Sequence, residues 1–220
     1  MPELDAPQIW DSEQVAEQDE RLALGVMISG SGTNLQAVID ACSSGQIEAR
    51  VAVVISNKAD AYGLERARVA GIPAVHVDPA SFGDIRKYNH ALRETLDAHG
   101  TQLVVMAGYM RLLGREVLQA YPGAVINLHP ALLPAFPGSS AINDAFDYGV
   151  KVTGVTVHFA DEEFDRGPII AQQAVRVDEA DTLSSLESKI HAAEHRLLPE
   201  AIGLIADGRV RLVGRVVHIS

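Results

Sequence analysis

LALGVMISGSGTNLQAVIDAC, residues 22–42, decides the fold. Its first eight residues, 22–29, are apolar almost without a break, which suits a strand buried on both faces. Leu35, Val38, Ile39 and Cys42 then recur at i, i+3, i+4 and i+7, the apolar stripe of a helix. Between them stands SGSGTN, with glycines at 30 and 32. A buried strand, a tight glycine turn and an amphipathic helix open a strand–helix–strand unit, and with it a parallel sheet. Cys42, the only cysteine, falls on the apolar stripe and reads as a core residue. A lone cysteine excludes an internal disulfide and a cysteine-cluster zinc site.

The alternation continues along the chain. Apolar runs at 50–56, 73–77, 102–107 and 123–128 predict further strands, and helices are predicted at about 62–70 (ending at Gly71) and 84–98, with a short one near 114–120. Crossovers between parallel strands should be right-handed. From residue 151 the style changes. Residues 151–160 and 168–177 read as long strands joined by an acidic turn, and a helix covers about 182–206, interrupted or bent at Pro199. Asp207-Gly208 then turns the chain into a final strand or hairpin. The predicted fold is a single α/β domain over 22–220, with a mostly parallel, Rossmann-like twisted sheet covered by helices on both faces.

The net charge is −11, but it is unevenly placed. Residues 1–20 hold seven acids and no Lys or Arg; the rest of the chain has 22 acids against 18 bases, a net of −4. Residues 1–21 therefore read as an acidic, disordered, solvating tail, with the only tryptophan, Trp10, inside it. A mildly acidic body without a basic stripe argues against nucleic acid as a partner. The polar, acidic N-terminus does not read as a signal peptide, and no apolar run reaches the roughly 18 residues of a membrane helix. The expected compartment is the cytoplasm.

Two features carry chemistry. The first is SGSGTNL, residues 29–35. Backbone N–H groups at a helix N-terminus bind anions, and glycine lets a phosphate come close. The dinucleotide fingerprint does not fit, because its third glycine would fall on Leu35 and the second strand ends Ser56-Asn57-Lys58 rather than in an acid. No Gly-Lys-Ser/Thr follows, so it is not a Walker loop either. A site for one phosphate fits; so does a plain strand-to-helix turn with Asn34 as its cap.

The second feature is VINLHPALLP, residues 125–134. Asn127 and His129 share a face if the strand runs to 129. Pro130 cannot donate to a ladder, so pairing loosens there, at the carboxyl end where open α/β sheets place ligands. An amide and an imidazole at such an edge suit the stabilisation of an oxyanion. GVTVHFADEEFDRGPII, residues 154–170, offers an acid to go with them. Asp161, Glu162 and Glu163 read as a solvated turn, whereas Asp165, set between Phe164 and Arg166-Gly167-Pro168, can be held rigidly. A carboxylate beside His129 would favour the imidazolium and could orient a water for proton transfer. Spacing alone does not establish that pairing.

Six segments, in order, resemble the phosphoribosylglycinamide formyltransferases, folate-dependent enzymes of purine synthesis. They are ISGSGTNLQAVIDAC (28–42), SNKADAYGLERA (56–67), AGYMRLL (107–113), INLHPALLPAFPG (126–138), GVTVHFADEEFDRGPII (154–170) and AEHRLLP (193–199). The resemblance covers nearly everything after residue 21. It implies transfer of a formyl group from 10-formyltetrahydrofolate, as co-substrate, to the amine of glycinamide ribonucleotide. It carries the catalytic roles to Asn127, His129 and Asp165, and the phosphate loop to Gly32, Thr33 and Asn34. Glu194 would contact the glycinamide substrate, and His191 stands where relatives often place glutamine or lysine against the phosphate. Met110, Arg111 and Leu113 would hold the pterin, with a folate loop that includes Ala160, Asp161, Glu162 and Glu163. No metal and no covalent enzyme intermediate is implied; a homodimer is. The stretch Ser139-Ser140-Ala141-Ile142-Asn143 departs from the pattern, because many members carry a histidine and an arginine there. Two enzymes of related fold fit less well. Methionyl-tRNA formyltransferase would bring a second, basic domain, and formyltetrahydrofolate hydrolase an N-terminal regulatory domain. A binding module without turnover is disfavoured by the intact Asn127, His129 and Asp165.

Overall fold

The structure is a computed structural model that describes residues 19–220. The expected acidic tail lies almost wholly outside these residues; of its last members, Asp19 is 2.7 Å from Arg21 and 3.5 Å from Arg50.

Seven strands form the central sheet: β1 (Leu22–Ile28), β2 (Ala49–Ser56), β3 (Ala74–His76), β4 (Leu103–Met106), β5 (Val125–His129), β6 (Val152–Phe159) and β7 (Ile169–Arg176). Their order is β3-β2-β1-β4-β5-β6-β7. The first five run parallel, and β6 and β7 are added antiparallel. Strand order reverses between β1 and β4, so the loops that leave these two strands diverge and open a crevice at their carboxyl ends.

Helices α1 (Thr33–Ser43), α2 (Tyr62–Val69), α3 (Ile85–Ala98), α4 (Arg115–Leu118), α5 (Ala141–Tyr148) and α6 (Leu183–Ala206) are set around the sheet. Alternation along the strands divides the core. Leu24, Val26, Ile28, Val105, Ile126, Leu128, Val155 and Val157 meet Leu35 and Val38 of α1 and Ile190 and Leu197 of α6 on one face. Met27, Ile55, Val104, Met106 and Val125 meet Tyr88, Leu92 and Leu96 of α3 and Val117 of α4 on the other. Being apolar on both sides, β1 serves both layers, which is why residues 22–28 show no polar period. Gly25 lets α3 approach closely, since a Cβ there would fall 2.4 Å from Leu96 Cδ2 and 2.8 Å from Thr101 Oγ1.

Two local features differ from the sequence reading. Of the interruption or bend expected at Pro199, the interruption is absent: α6 runs unbroken for 24 residues. Proline costs a helix interior about 3 kcal/mol, and here Leu197, Leu198, Ala201 and Ile202 are all buried around it, so packing outweighs the lost hydrogen bond. The short helix expected near 114–120 is present as the single turn of α4. α5 was not foreseen at all; only eight residues long, it begins inside the atypical 139–143 stretch and ends at Gly149, in the left-handed conformation at φ 80. The predicted terminal hairpin is present as β8 (Val210–Val213) and β9 (Val216–Ile219), a separate two-stranded sheet. Among the described residues no helix is long and apolar enough to cross a membrane.

Candidate active site

The antiparallel register of β5 and β6 sets Asn127 opposite His158 and His129 opposite Thr156. Residues opposite each other project to one face, so four polar side chains gather there. The chain then folds back over them. Leu133 N donates to Thr156 Oγ1 at 3.1 Å, and that hydroxyl donates to Ala131 O at 2.6 Å. This segment brings the Phe136 carbonyl to 2.8 Å from His129 Nε2.

Asp165 enters from the turn between β6 and β7. Its Oδ2 accepts from Gly138 N at 2.7 Å and lies 3.4 Å from His129 Nδ1; its Oδ1 accepts from Asn127 Nδ2 at 3.3 Å and lies 3.7 Å from His158 Nε2. The predicted trio is thus brought together: the His129 and Asp165 side chains are 4% and 6% exposed, and Asn127 is half-buried beside them. Asp165 and Phe136 both hold left-handed backbone, at φ 54 and 51. Such conformations cost a non-glycine residue free energy and persist where the surroundings impose them.

Burial alone would raise the Asp165 carboxyl, but the His158 ring, the Gly138 N–H and the nearby His129 outweigh it and hold the group below the ordinary aspartate value. Both nitrogens of His129 face oxygens, Nε2 the Phe136 carbonyl at hydrogen-bond distance and Nδ1 the Asp165 carboxylate at 3.4 Å. His158 differs. Its Nδ1 is 2.8 Å from Phe159 O and its Nε2 is 3.2 Å from Asn127 Nδ2. That nitrogen faces the Asn127 amide and Asp165 Oδ1 together, so His158 stands between two members of the trio.

The glycine loop forms a second group. Gly32, at φ 70, is the N-cap of α1 and makes no side-chain cap. A Cβ at Gly32 would lie 2.6 Å from Gly63 Cα, and Gly63 N donates to Gly30 O at 3.1 Å, so the loop is wedged against the start of α2. Asn34 is not the cap that a plain turn would need. Its side chain crosses to α6 and donates Nδ2 to Glu194 Oε2 at 3.0 Å, where His191 Nδ1 also arrives at 2.8 Å. Gly32, Thr33, Asn34, His191 and Glu194 together line a cleft of about 350 Å³. Its far wall is residues 139–143, and it reaches the end of β5 through Leu128 and Pro130, on either side of the buried His129.

Met110 belongs to both this cleft and a more open recess of about 490 Å³ lined by Arg111, Leu113 and Arg115. Ser29 Oγ accepts from Met110 N at 2.9 Å and donates to Asn57 Oδ1 at 2.6 Å, which anchors the wall between the two openings. The Arg111 guanidinium lies 5.5 Å from the centre of the Tyr88 ring, and the Tyr88 and Tyr109 hydroxyls share a 2.5 Å hydrogen bond beneath it. Ala160, Asp161, Glu162 and Glu163 do not line the recess. They approach it through Glu162, which pairs with Arg115 at 2.7 Å.

Sequence reasoning missed His158 and Thr156. The signal was present in GVTVHF, where alternate residues point one way, but it becomes readable only once β6 is known to run antiparallel to β5. Among the described residues no three His, Cys, Asp or Glu side chains converge as metal ligands.

The formyl transferase family model matches residues 22–202. Phosphoribosylglycinamide formyltransferase of Bacillus subtilis is 44% identical over 177 residues, which is 80% of this chain and 91% of that protein. The crystal structure of glycinamide ribonucleotide transformylase 1 from Symbiobacterium toebii is similar at a TM-score of 0.89 and 53% identity, over 95% of this chain and 99% of its own. A formyltetrahydrofolate deformylase from Pseudomonas syringae pv. tomato shares the fold at a TM-score of 0.84 with 27% identity, over 90% of this chain and 66% of its own. With the family match spanning most of the domain and these identities beside it, the chain belongs to the phosphoribosylglycinamide formyltransferase family of formyl transferases.

Proposed function

We propose that the protein transfers the formyl group of 10-formyltetrahydrofolate to the amine of glycinamide ribonucleotide, giving N-formylglycinamide ribonucleotide for purine synthesis. The observation that carries this reading is the pairing of two openings at one sheet edge, joined at Met110, with the Asn127–His129–Asp165 cluster at the end of β5. The phosphate rests on the backbone N–H groups at Gly32, Thr33 and Asn34. Glu194, buried and, among the described residues, hydrogen bonded through Oε2 alone, keeps its second oxygen for the glycinamide end. The pterin takes the recess of Met110, Arg111 and Leu113, with residues 160–163 closing over it.

The substrate amine attacks the formyl carbon, a C–N bond forms, and negative charge develops on the formyl oxygen. His129 as imidazolium and the Asn127 amide stabilise that oxygen; removing one such donor typically costs about 10²–10³ in rate. His129 Nε2 lies 2.8 Å from Phe136 O, so the segment 130–138 sets the orientation of the ring. Asp165 balances the imidazolium and helps the proton pass from the attacking nitrogen to N10. The C–N10 bond then breaks and tetrahydrofolate leaves. Every bond change is met by the two substrates and these side chains.

Hydrolysis, as in the deformylase of like fold, would need water in place of the amine. The Asn34–Glu194–His191 group beside the glycine loop favours a phosphorylated amine instead. The partners in this reading are the two small substrates, with neither nucleic acid nor membrane; a cytoplasmic setting and a homodimer complete it. Mass spectrometry of an incubation with both substrates tests it. Formylated glycinamide ribonucleotide is expected, whereas formate beside unmodified acceptor would move the assignment to hydrolysis.

A further inference from the structure

His191 and Glu194 lie one turn apart on α6, with the Glu194 side chain 5% exposed and that of His191 51% exposed. Among the described residues no Lys or Arg lines the cleft that holds the glycine loop, and the titratable lining groups are Glu187, His191 and Glu194. A phosphate entering this cleft therefore meets two carboxylates. The backbone N–H groups of the loop offer only partial charge. His191 is the one lining side chain that can become a cation. Glu194 engages its Nδ1, which leaves Nε2 without a protein partner among the described residues.

We propose, resting on the phosphate-loop reading above, that protonated His191 supplies the full positive charge that holds the substrate's phosphate, and that phosphate capture weakens as the ring loses its proton. Glu194 turns the ring through Nδ1 and thereby ties the phosphate end of the cleft to the amine end. The surroundings support a cation. On α6, Glu187 and Glu194 lie one turn to either side and the His195 ring stacks at 6.5 Å. His195 is itself pushed toward neutrality, by burial first. The facing loop contributes uncharged Thr33 and Asn34, and residues 139–143 contribute no charge. Arg66 does not reach in: its guanidinium is bound to Ser31 O and Gln36 Oε1. The hydrogen bond to Glu194 raises the His191 pKa, against the opposing pull of burial. A raised histidine carries its charge fully below the ordinary value of about 6.5 and loses it as pH climbs through the higher one. The change in affinity therefore falls above that ordinary value.

Ribose 5-phosphate is the probe, because it carries the phosphate without the amine, and its phosphate, with a second pKa near 6, is already largely dianionic by about pH 6.5. Calorimetric titration from about pH 6.5 to 9 should show wild-type affinity falling by roughly tenfold or more, as loss of a charge-assisted hydrogen bond does. His191→Gln keeps a neutral donor; it should bind about tenfold more weakly at the low end and show no pH trend. His191→Lys should bind tightly and stay flat across the range, which separates charge from shape. Unchanged binding of a 10-formyltetrahydrofolate analogue reports that the variants are folded. A flat wild-type profile, or one whose slope survives in His191→Gln, overturns the proposal and leaves the phosphate loop standing. Absence of binding at every pH, for ribose 5-phosphate and glycinamide ribonucleotide alike, overturns the loop reading and this one with it.

Discussion

Asp165→Asn removes a charge and almost nothing else. Asparagine tolerates the left-handed backbone that Asp165 holds at φ 54, so the turn should survive. The loss is in hydrogen bonding. Each carboxylate oxygen meets a donor: Oδ2 takes Gly138 N–H and faces His129, and Oδ1 takes the Asn127 amide and faces His158. An amide in its place turns an NH2 toward one of those donors whichever way it is set. One buried group left unpaired costs about 1–3 kcal/mol. For a domain of this size that lowers the melting temperature by roughly 2–4 °C per kcal/mol, a cost the fold can bear. The catalytic effect should be larger, because His129 loses the anion that supports its cation. Loss of one oxyanion donor typically costs about 10²–10³ in rate, and kcat should fall at least that far. KM for glycinamide ribonucleotide should hardly move, since Glu194 and the glycine loop are separate from the change. Steady-state formyl transfer at saturating levels of both substrates reads the effect, with a thermal melt of the same sample as the folding control. Turnover within about a factor of three of wild type, in a folded variant, would show that Asp165 makes no interaction special to the transition state.

Other perturbations have equally definite outcomes. Gly32→Val puts a branched side chain at φ 70 and 2.6 Å from Gly63 Cα, so it should displace the loop and weaken glycinamide ribonucleotide far more than folate; equal losses for the two ligands would count against the cradle. Leu92→Ala in α3 empties a fully buried site and should cost about 2–5 kcal/mol in urea unfolding while leaving both KM values near wild type. Cys42, whose thiol burial pushes up to about 11, should resist a thiol reagent at neutral pH in the native protein and react once unfolded; prompt native labelling would contradict its place in the core. Asp165, held below its ordinary value, stabilises the fold above the unfolded aspartate pKa of about 3.9. That contribution should be lost as pH falls through the lower folded value, and the acid limb of the stability curve should be shallower in Asp165→Asn.

Much of this was legible in the sequence because the decisive signals are local. The unbroken apolar run 22–28 and the stripe Leu35, Val38, Ile39 and Cys42 specify a two-sided strand followed by a helix, and both are found there. The trio was legible in part: Asn127 and His129 share a face by period alone, but Asp165 lies 36 residues beyond His129 and needed the fold, or the family, to bring it in. What stayed hidden depends on partners. His158 is set against Asn127 only by the antiparallel register of β6. The role of Asn34 could not be separated from capping until α6 placed Glu194 opposite it. Pro199 signals a break by its own chemistry, and only the buried residues around it keep α6 whole. α5 is too short to announce itself by period, yet its first residues form a wall of the cleft.

On this mechanism the chemistry takes place at the end of β5 and needs an amine acceptor. The most direct measurement follows the absorbance of 10-formyl-5,8-dideazafolate with and without glycinamide ribonucleotide, in wild type and in His129→Ala. Deformylation of the folate is expected only when the acceptor is present, matched by formylated product and lost in the variant. Equal deformylation without the acceptor, or transfer that survives in His129→Ala, would contradict this mechanism.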